Sequence, residues 1–232
     1  RLLKELNLGR NTAVTVVNKV AGIIIGIFTV RFLVLGLSSN DYGFYVFIWK
    51  ISSTIFLADF GLGLAAQKKA TQYLSSKNSS ALNEDLSSIM YFYIVVFILF
   101  TVVNYFFISP SLNSFFKIEN KIKPLHYYQN IFFVATTIIA FNFSISFFKE
   151  ILAGLHKLYI SEFLFLVNKI LVFFGILIFY WTNSSLKFIC FIVPLIQTFT
   201  LLLMAKVCFG SIKDLKLLPS NVSIQNLKET FK

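Results

Sequence analysis

Residues 89–108 read IMYFYIVVFILFTVVNYFFI, twenty consecutive residues without a charged side chain. A helix rises about 1.5 Å per residue, so about twenty residues cover the roughly 30 Å hydrocarbon core of a bilayer. The stretch is therefore long and apolar enough to cross a membrane as one helix. It lacks the alternation of apolar and polar residues that the strands of a membrane barrel require.

The composition extends this interpretation to the whole chain. Hydrophobic residues make up 57% of the sequence and charged residues only 13%, with a mean hydropathy of +0.77. Soluble domains carry about 25% charged residues, so a soluble protein is excluded. We predict an all-α, polytopic membrane protein whose six-transmembrane-helix bundle occupies residues 1–210. Its spans are predicted at about 13–37, 43–67, 88–109, 129–149, 161–182 and 187–208.

The last part of the chain has a different pattern. Ile224, Leu227 and Phe231 are spaced three and four residues apart, which is typical of one apolar helix face. We therefore predict that residues 211–232 form a cytoplasmic amphipathic linker leading towards a second bundle. On this interpretation the chain is the N-terminal half of a longer protein.

The orientation follows from the basic residues of the connections. With alternate loops on alternate sides, thirteen Lys and Arg residues fall on the side of both ends of the chain and four on the other. Cytoplasmic loops carry the excess of Lys and Arg, so both ends are predicted to be cytoplasmic. The net charge of +11 follows from this topology, and we do not expect nucleic-acid binding.

Charged residues also occur inside the predicted spans. Each costs at least about 2.5–3.5 kcal/mol on insertion scales, which indicates a wet or polar interior where function should be sought. Within the long apolar stretches 13–37, 43–67 and 163–180 of these spans there are five, namely Lys19, Arg31, Lys50, Asp59 and Lys169.

The depths of these charges divide them into two sets. Lys19, Asp59 and Lys169 each lie about eight residues, or roughly 12 Å, from the cytoplasmic end of a span, so Asp59 is predicted to neutralise one of the two lysines. Arg31 and Lys50 lie in the outer half, where the spans contain no acidic residue. They either line a cationic cavity or extend to the outer interface, a choice most open for Arg31.

Helical phase restricts the second span. Lys50 and Asp59 are nine residues apart, which places them about 180° apart on an ideal helix. We therefore expect that Asp59 points into the bundle if Lys50 lines a cavity. Gly61 and Gly63 come too late in the sequence to rotate Asp59 back towards Lys50.

Two amides accompany the cations. Asn18 precedes Lys19, and Asn168 precedes Lys169, so an amide stands beside an ammonium group in two helices at similar depth. These pairs are candidates for binding sugar or phosphate. The alternative is hydrogen bonding between helices, the commonest use of such residues in membranes.

Catalytic motifs are missing from the sequence. His126 and His156 are predicted on opposite sides of the membrane, and no glycine-rich loop followed by Lys and Ser or Thr is present. Lys149 and Glu150 are interpreted as solvated loop charges. We predict no enzyme activity, no cofactor and no metal site.

Three segments resemble motifs of one transporter family. Residues 39–45 read SNDYGFY between the first two spans, residues 59–64 read DFGLGL, and residues 149–157 read KEILAGLHK. In this order they resemble the Wzx-type oligosaccharide flippases of the MOP superfamily, which also contains the MATE transporters. The resemblance covers most of the chain.

The resemblance implies a MATE-like transporter of 12 to 14 helices that works by alternating access in the bacterial cytoplasmic (inner) membrane. Its cargo would be a polyprenyl-diphosphate-linked oligosaccharide for surface polysaccharide such as O-antigen. Membrane lipid and other polysaccharide-assembly proteins would be its partners.

The family's mechanism would give roles to the residues identified above. A cationic cavity would use Lys50, Lys169, Arg31 and Lys19, with Asn18 and Asn168 as polar lining. Asp59 would be a charge partner, or would couple transport to protons or sodium. A MATE-type drug or cation antiporter, which would have an acidic cavity, is the first alternative. A membrane-embedded sugar-modifying enzyme and a structural subunit are the others.

Overall fold

The computed structural model describes residues 2–115, 124–212 and 214–218, with side chains from Thr12 onward. These residues form helices and no strand. The helices are α1 (Leu2–Gly36), α2 (Ser39–Ser53), α3 (Leu62–Ser76), α4 (Ser79–Val103), α5 (Leu112–Phe115), α6 (Leu125–Ile145), α7 (Phe147–Gly154), α8 (Leu158–Trp181) and α9 (Leu186–Ser211). A 3₁₀ helix (Thr54–Asp59) follows α2, and a π-helical turn (Asn104–Ile108) extends α4.

Within the described residues, six helical stretches are long and apolar enough to cross a membrane, if one bent pair of helices is counted as a span. The five unbroken ones are Thr12–Gly36, Ser79–Ile108, Leu125–Gly154, Leu158–Trp181 and Leu186–Ser211. The sixth joins Ser39–Asp59 to Leu62–Ser76 through a bend of 49°. The prediction of an all-α, polytopic membrane fold is confirmed.

The break in the second span has a local cause in the backbone. Phe60 and Gly61 have φ angles of +46° and +82°, in the left-handed region where a right-handed helix cannot continue. The sequence had predicted one helix over 43–67, whereas α2 ends at Ser53 and α3 continues to Ser76. Since a 3₁₀ helix turns about 120° per residue, the ideal angle between Lys50 and Asp59 falls from about 180° to about 60°. The predicted opposite faces are therefore wrong.

The buried core has two parts, one at each end of the bundle. Around α3, α4 and α7 the buried side chains include Leu62, Tyr93 and Ile151. Around α2, α6 and α9 they include Phe44 and Phe132. Helix α1 contributes Leu33 to the second part, packs mainly along α8 and leaves most of its apolar side chains exposed.

Polar side chains join the helices between these two parts. The Asn142 amide donates to the carbonyl of Pro194 (3.0 Å) and accepts from the Thr198 hydroxyl (2.7 Å), which links α6 to α9. Asn104 donates to Thr136 (2.7 Å) and links the end of α4 to α6. This is the usual role of uncharged polar residues between membrane helices.

The segment after α9 is tied to the start of α4. Asn83 donates to the carbonyl of Asp214 (2.9 Å) and accepts from the amide of Lys216 (3.1 Å), while the Leu218 amide donates to Ser87 (3.2 Å). The described start of the predicted linker is therefore docked on the bundle. The amphipathic helix predicted at 224–231 lies outside the described residues.

Removing the Asn83 side chain is expected to release this segment. Asn83→Ala loses two hydrogen bonds, each worth about 0.5–1.5 kcal/mol, so local opening should become about 5- to 150-fold more frequent. Limited trypsin digestion of the full-length protein in detergent, followed by mass spectrometry, should show faster cleavage after Lys216. Glu84→Gln, at an exposed neighbouring residue, is the control and should leave the cleavage rate unchanged.

Candidate functional site

The clearest polar chain in the membrane-spanning part joins α8 to α1. The Lys169 ammonium donates to the side-chain oxygen of Asn18 (2.6 Å) and to its backbone carbonyl (3.0 Å). The Asn18 amide in turn donates to the carboxylate of Glu162. Asn18 is 5% exposed and lies between the two opposite charges, so it bridges them without a direct ion pair.

The space for this chain is made by a glycine. A Cβ atom built on Gly22 would lie 2.6 Å from the Lys169 nitrogen, so a larger residue there would displace the end of the lysine side chain. The structure thus brings the predicted residues Asn18 and Lys169 together. It couples Asn18 to Lys169 of α8 rather than to its neighbour Lys19.

Glu162 was missed by the sequence analysis. Glu162 directly precedes the apolar stretch 163–180 of its span. It is seven residues before Lys169 and therefore two turns away on the same face of α8. That spacing was the available signal. Asn168 takes a different direction and donates to Thr200 of α9 (3.1 Å), so it links two helices.

Three of the four cations predicted inside the spans have exposed side chains. Lys19 and Arg31 lie on α1 and Lys50 lies near the end of α2. Within the described residues none of the three has an ion-pair or hydrogen-bond partner. Their charges therefore remain available on the surface of the helices.

Asp59 has a partner that differs from the prediction. Its carboxylate accepts hydrogen bonds from the hydroxyl of Tyr93 and from the backbone amide of Gly61 (3.2 Å). No described lysine or arginine lies within ion-pair distance of Asp59, so the predicted pairing with Lys19 or Lys169 is wrong. The 3₁₀ helix Thr54–Asp59 changes the direction of this side chain, and the carboxylate meets Tyr93 of α4 instead.

A cavity of about 420 Å³ lies beside the break in the second span. Aromatic side chains and several polar groups form its wall. The lining residues are Phe56, Asp59, Gly63, Leu64, Tyr93, Phe143, Ser146, Phe147, Lys149, Glu150, Phe165, Gln197 and Leu201. The cavity therefore draws on the second to the sixth span, without α1.

The cavity contains two charges that the sequence analysis had placed in a solvated loop. Lys149 and Glu150 are half-buried in α7, which continues the fourth span to Gly154. The interpretation of Lys149 and Glu150 as loop charges is wrong. It assumed that the fourth span ends where the charged residues begin, whereas the helix continues past them. The ammonium of Lys149 lies over the Phe165 ring, 5.3 Å from its centre.

Gly63 allows two carboxyl groups to approach each other. A Cβ atom built on Gly63 would lie 3.2 Å from Cγ of Glu150 and 3.5 Å from a carboxylate oxygen of Asp59. Both acidic residues thus converge on a position without a side chain. No group of three His, Cys, Asp or Glu residues suited to a metal ion is present in the part of the chain that the structure describes.

Comparisons with known proteins show similarity in structure but not in sequence. No family model and no curated protein matches the chain. A MOP superfamily transporter from Pyrococcus furiosus, described as having a binding pocket of reverse polarity, matches with 14% identity and a TM-score of 0.69. MATE in complex with MaL6 matches with 12% identity and 0.70, and an outward-facing multidrug resistance MATE family transporter with 14% and 0.64.

Each of these matches covers 97% of this chain and 50% of the other. The chain therefore spans about half the length of the solved structures it matches. At such low identity the likeness shows the fold alone, which resembles one half of each of these structures. That coverage fits the predicted N-terminal half.

Proposed function

We propose that this chain is the N-terminal half of a flippase that moves a polyprenyl-diphosphate-linked oligosaccharide across the cytoplasmic membrane by alternating access. The fold supports a membrane transporter. The observation that carries the proposal is the set of exposed cations without acidic partners on α1 and α2, namely Lys19, Arg31 and Lys50. A diphosphate is the part of such a cargo that would bind them.

The chemistry of these cations fits a diphosphate group. Arg31 offers a planar guanidinium suited to bidentate contact with a phosphate, and Lys50 offers a point charge. Lys169 contributes differently, because its ammonium donates a hydrogen bond to Asn18, whose amide donates in turn to Glu162. We assign Lys50 and Arg31 to the binding site for the diphosphate. Lys169, Asn18 and Lys19 would form the polar region beside it.

The cellular setting is part of the same proposal. The thirteen-to-four distribution of loop Lys and Arg supports a cytoplasmic N-terminus in a bacterial inner membrane. The cargo would then be loaded from the cytoplasmic side and used outside for surface polysaccharide. Other polysaccharide-assembly proteins would be partners of this transporter.

A MATE-type antiporter of drugs or cations is the second candidate. One observation favours it: Asp59 and Glu150 converge on the cavity beside the broken span. An acidic cavity suits a cationic substrate, and Asp59 would then couple transport to protons or sodium. The exposed cations on α1 and α2 oppose this function, since they would repel the same substrate.

Neutralising Lys50 tests the proposal. We expect Lys50→Gln in the full-length protein to slow the transfer of a fluorescent polyprenyl-diphosphate disaccharide by about tenfold, since it removes a charge-assisted contact. The measurement is the accessibility of the label to a membrane-impermeant quencher in proteoliposomes. Arg31→Gln should have a similar effect.

Lys187→Gln is the matched control, because Lys187 is an exposed cation outside the proposed site, at the start of α9. It should transfer the cargo at the wild-type rate. No transfer of the lipid-linked probe by the wild type would overturn the flippase proposal. Equal transfer by Lys50→Gln, Arg31→Gln and the wild type would overturn the role of these two cations in binding the diphosphate. Proton-dependent export of tetraphenylphosphonium, lost in Asp59→Asn, would support the antiporter instead.

A further inference from the structure

We infer that the cavity beside the broken second span is a sugar pocket, which holds a neutral pyranose residue of the transported oligosaccharide. The link to a cargo rests on the proposed function, whereas the pocket itself rests on its own geometry. The exposed cations are suited to the phosphates. The cavity is suited to the sugars at the other end of the cargo.

The cavity wall offers flat apolar surfaces. The Phe56 ring is 43% exposed and stands edge-on to Phe143, with the ring centres 5.4 Å apart. Phe147 is stacked on Tyr93 at 5.6 Å and an angle of 17°, and both rings are buried behind the wall, so the accessible aromatic surface is that of Phe56 and Phe165. One face of a pyranose ring consists of C–H groups and packs well against such aromatic surfaces.

The polar groups of the wall complement hydroxyl groups. The Glu150 carboxylate and the Gln197 amide line the cavity and have no hydrogen-bond partner among the described residues. Glu150 accepts from hydroxyl donors, while Gln197 both donates and accepts. Ser146 already donates to the carbonyl of Phe143 (2.7 Å), so its oxygen is left as a further acceptor.

The charges of the cavity wall are largely compensated by other groups of the protein. Each oxygen of Asp59 accepts one hydrogen bond, one from Tyr93 and the other from the Gly61 amide. Glu150 and Lys149 are opposite in sign and adjacent in α7, so the excess charge of the wall is that of Asp59. A neutral ligand with hydroxyl groups can therefore bind to Glu150 without bringing a further charge into the cavity.

The size of the cavity limits what it can hold. Small-molecule pockets measure about 300–1,000 Å³, and about 420 Å³ is at the lower end of that range. A single sugar residue suits this volume better than a whole oligosaccharide does. Leu64 and Phe56, both exposed, form the rim beside the break, so the rest of a chain of sugars would extend from there.

Saturation-transfer NMR on the purified full-length protein in detergent tests the pocket directly. The probes are methyl glucoside, methyl galactoside and methyl N-acetylglucosaminide, with sorbitol as a hydroxyl-rich compound that has no ring. We expect transfer to the ring protons of at least one glycoside and none to sorbitol. Glu150→Gln and Phe165→Ala should each weaken the binding of that glycoside by about fivefold to tenfold.

Glu84→Gln is the matched control, because Glu84 is an exposed carboxylate on α4 away from the cavity. It should bind the glycoside as the wild type does. Absence of glycoside binding, binding that Glu150→Gln and Phe165→Ala leave unchanged, or binding of tetraphenylphosphonium at this cavity would each overturn the inference. Thermal melting of each variant, compared with the wild type, separates lost binding from lost folding.

The results also separate this inference from the proposed function. If the glycosides bind and the wild type does not transfer the lipid-linked probe, the flippase proposal fails and the pocket stands. If the wild type transfers the probe, Lys50→Gln slows that transfer and no glycoside binds, the pocket fails alone.

Discussion

Gly154→Ala is expected to destabilise the bundle strongly, because the added methyl group has no space. A Cβ atom at this position would lie 2.2 Å from the backbone oxygen of Gln67 and 2.8 Å from Cβ of Ala70. Both atoms are rigid parts of α3, so α3 and α7 would have to separate. The Thr71 hydroxyl donates to the Gly154 carbonyl at 3.1 Å, and this bond would be lost as well.

Overpacking of this kind costs about 1–3 kcal/mol, and the loss of the hydrogen bond adds about 1 kcal/mol. For a chain of this size we expect the melting temperature to fall by about 5–15 °C. Fluorescence-detected size-exclusion chromatography of the full-length protein after heating measures this change. Gly210→Ala, which meets nothing within 4 Å, should melt with the wild type. A Gly154→Ala protein of wild-type stability would contradict the close contact of α3 with α7.

Lys169→Met is expected to impair both stability and transport. The variant leaves the Glu162 carboxylate without the cation that Asn18 relays to it. Removing one partner of a fully buried charge pair costs about 3–5 kcal/mol, and the half-burial of Lys169 and Glu162 reduces this to about 1–2 kcal/mol. The melting temperature should fall accordingly.

A second substitution separates the two effects. Glu162→Gln added to Lys169→Met removes the uncompensated charge, so it should restore part of the lost stability, and a double-mutant cycle measures the coupling. Transfer of the lipid-linked probe should stay low, because the cation is still absent. If the double variant transports at the wild-type rate, Lys169 serves only to balance Glu162. If the substitutions are additive in stability, the chain through Asn18 carries no coupling.

The bundle could be predicted from sequence because span length and the absence of charge are read directly from the residues. The broken second span could not. Its cause is the left-handed conformation of Phe60, and nothing in the identity of a phenylalanine signals a positive φ. The phase calculation for Lys50 and Asp59 assumed an α-helix throughout and failed because residues 54–59 form a 3₁₀ helix.

The site was predicted in part for a related reason. Asn18 and Lys169 were predicted at similar depth, and the structure joins them by a hydrogen bond of 2.6 Å. Glu162, Lys149 and Glu150 were left out because a charge at the edge of an apolar stretch was taken to mark water. In the structure, helices α7 and α8 carry these charges into the bundle, where neighbouring spans surround them.

The docking of residues 214–218 on α4 has a mechanical consequence. A pull on the chain beyond Leu218 is taken up first by Asn83 and Ser87, and not by the end of α9. Tyr93 stands ten residues, or about 15 Å, further along the same helix, where it holds Asp59. Helix α4 thus connects the segment that follows α9 to the bend in the second span.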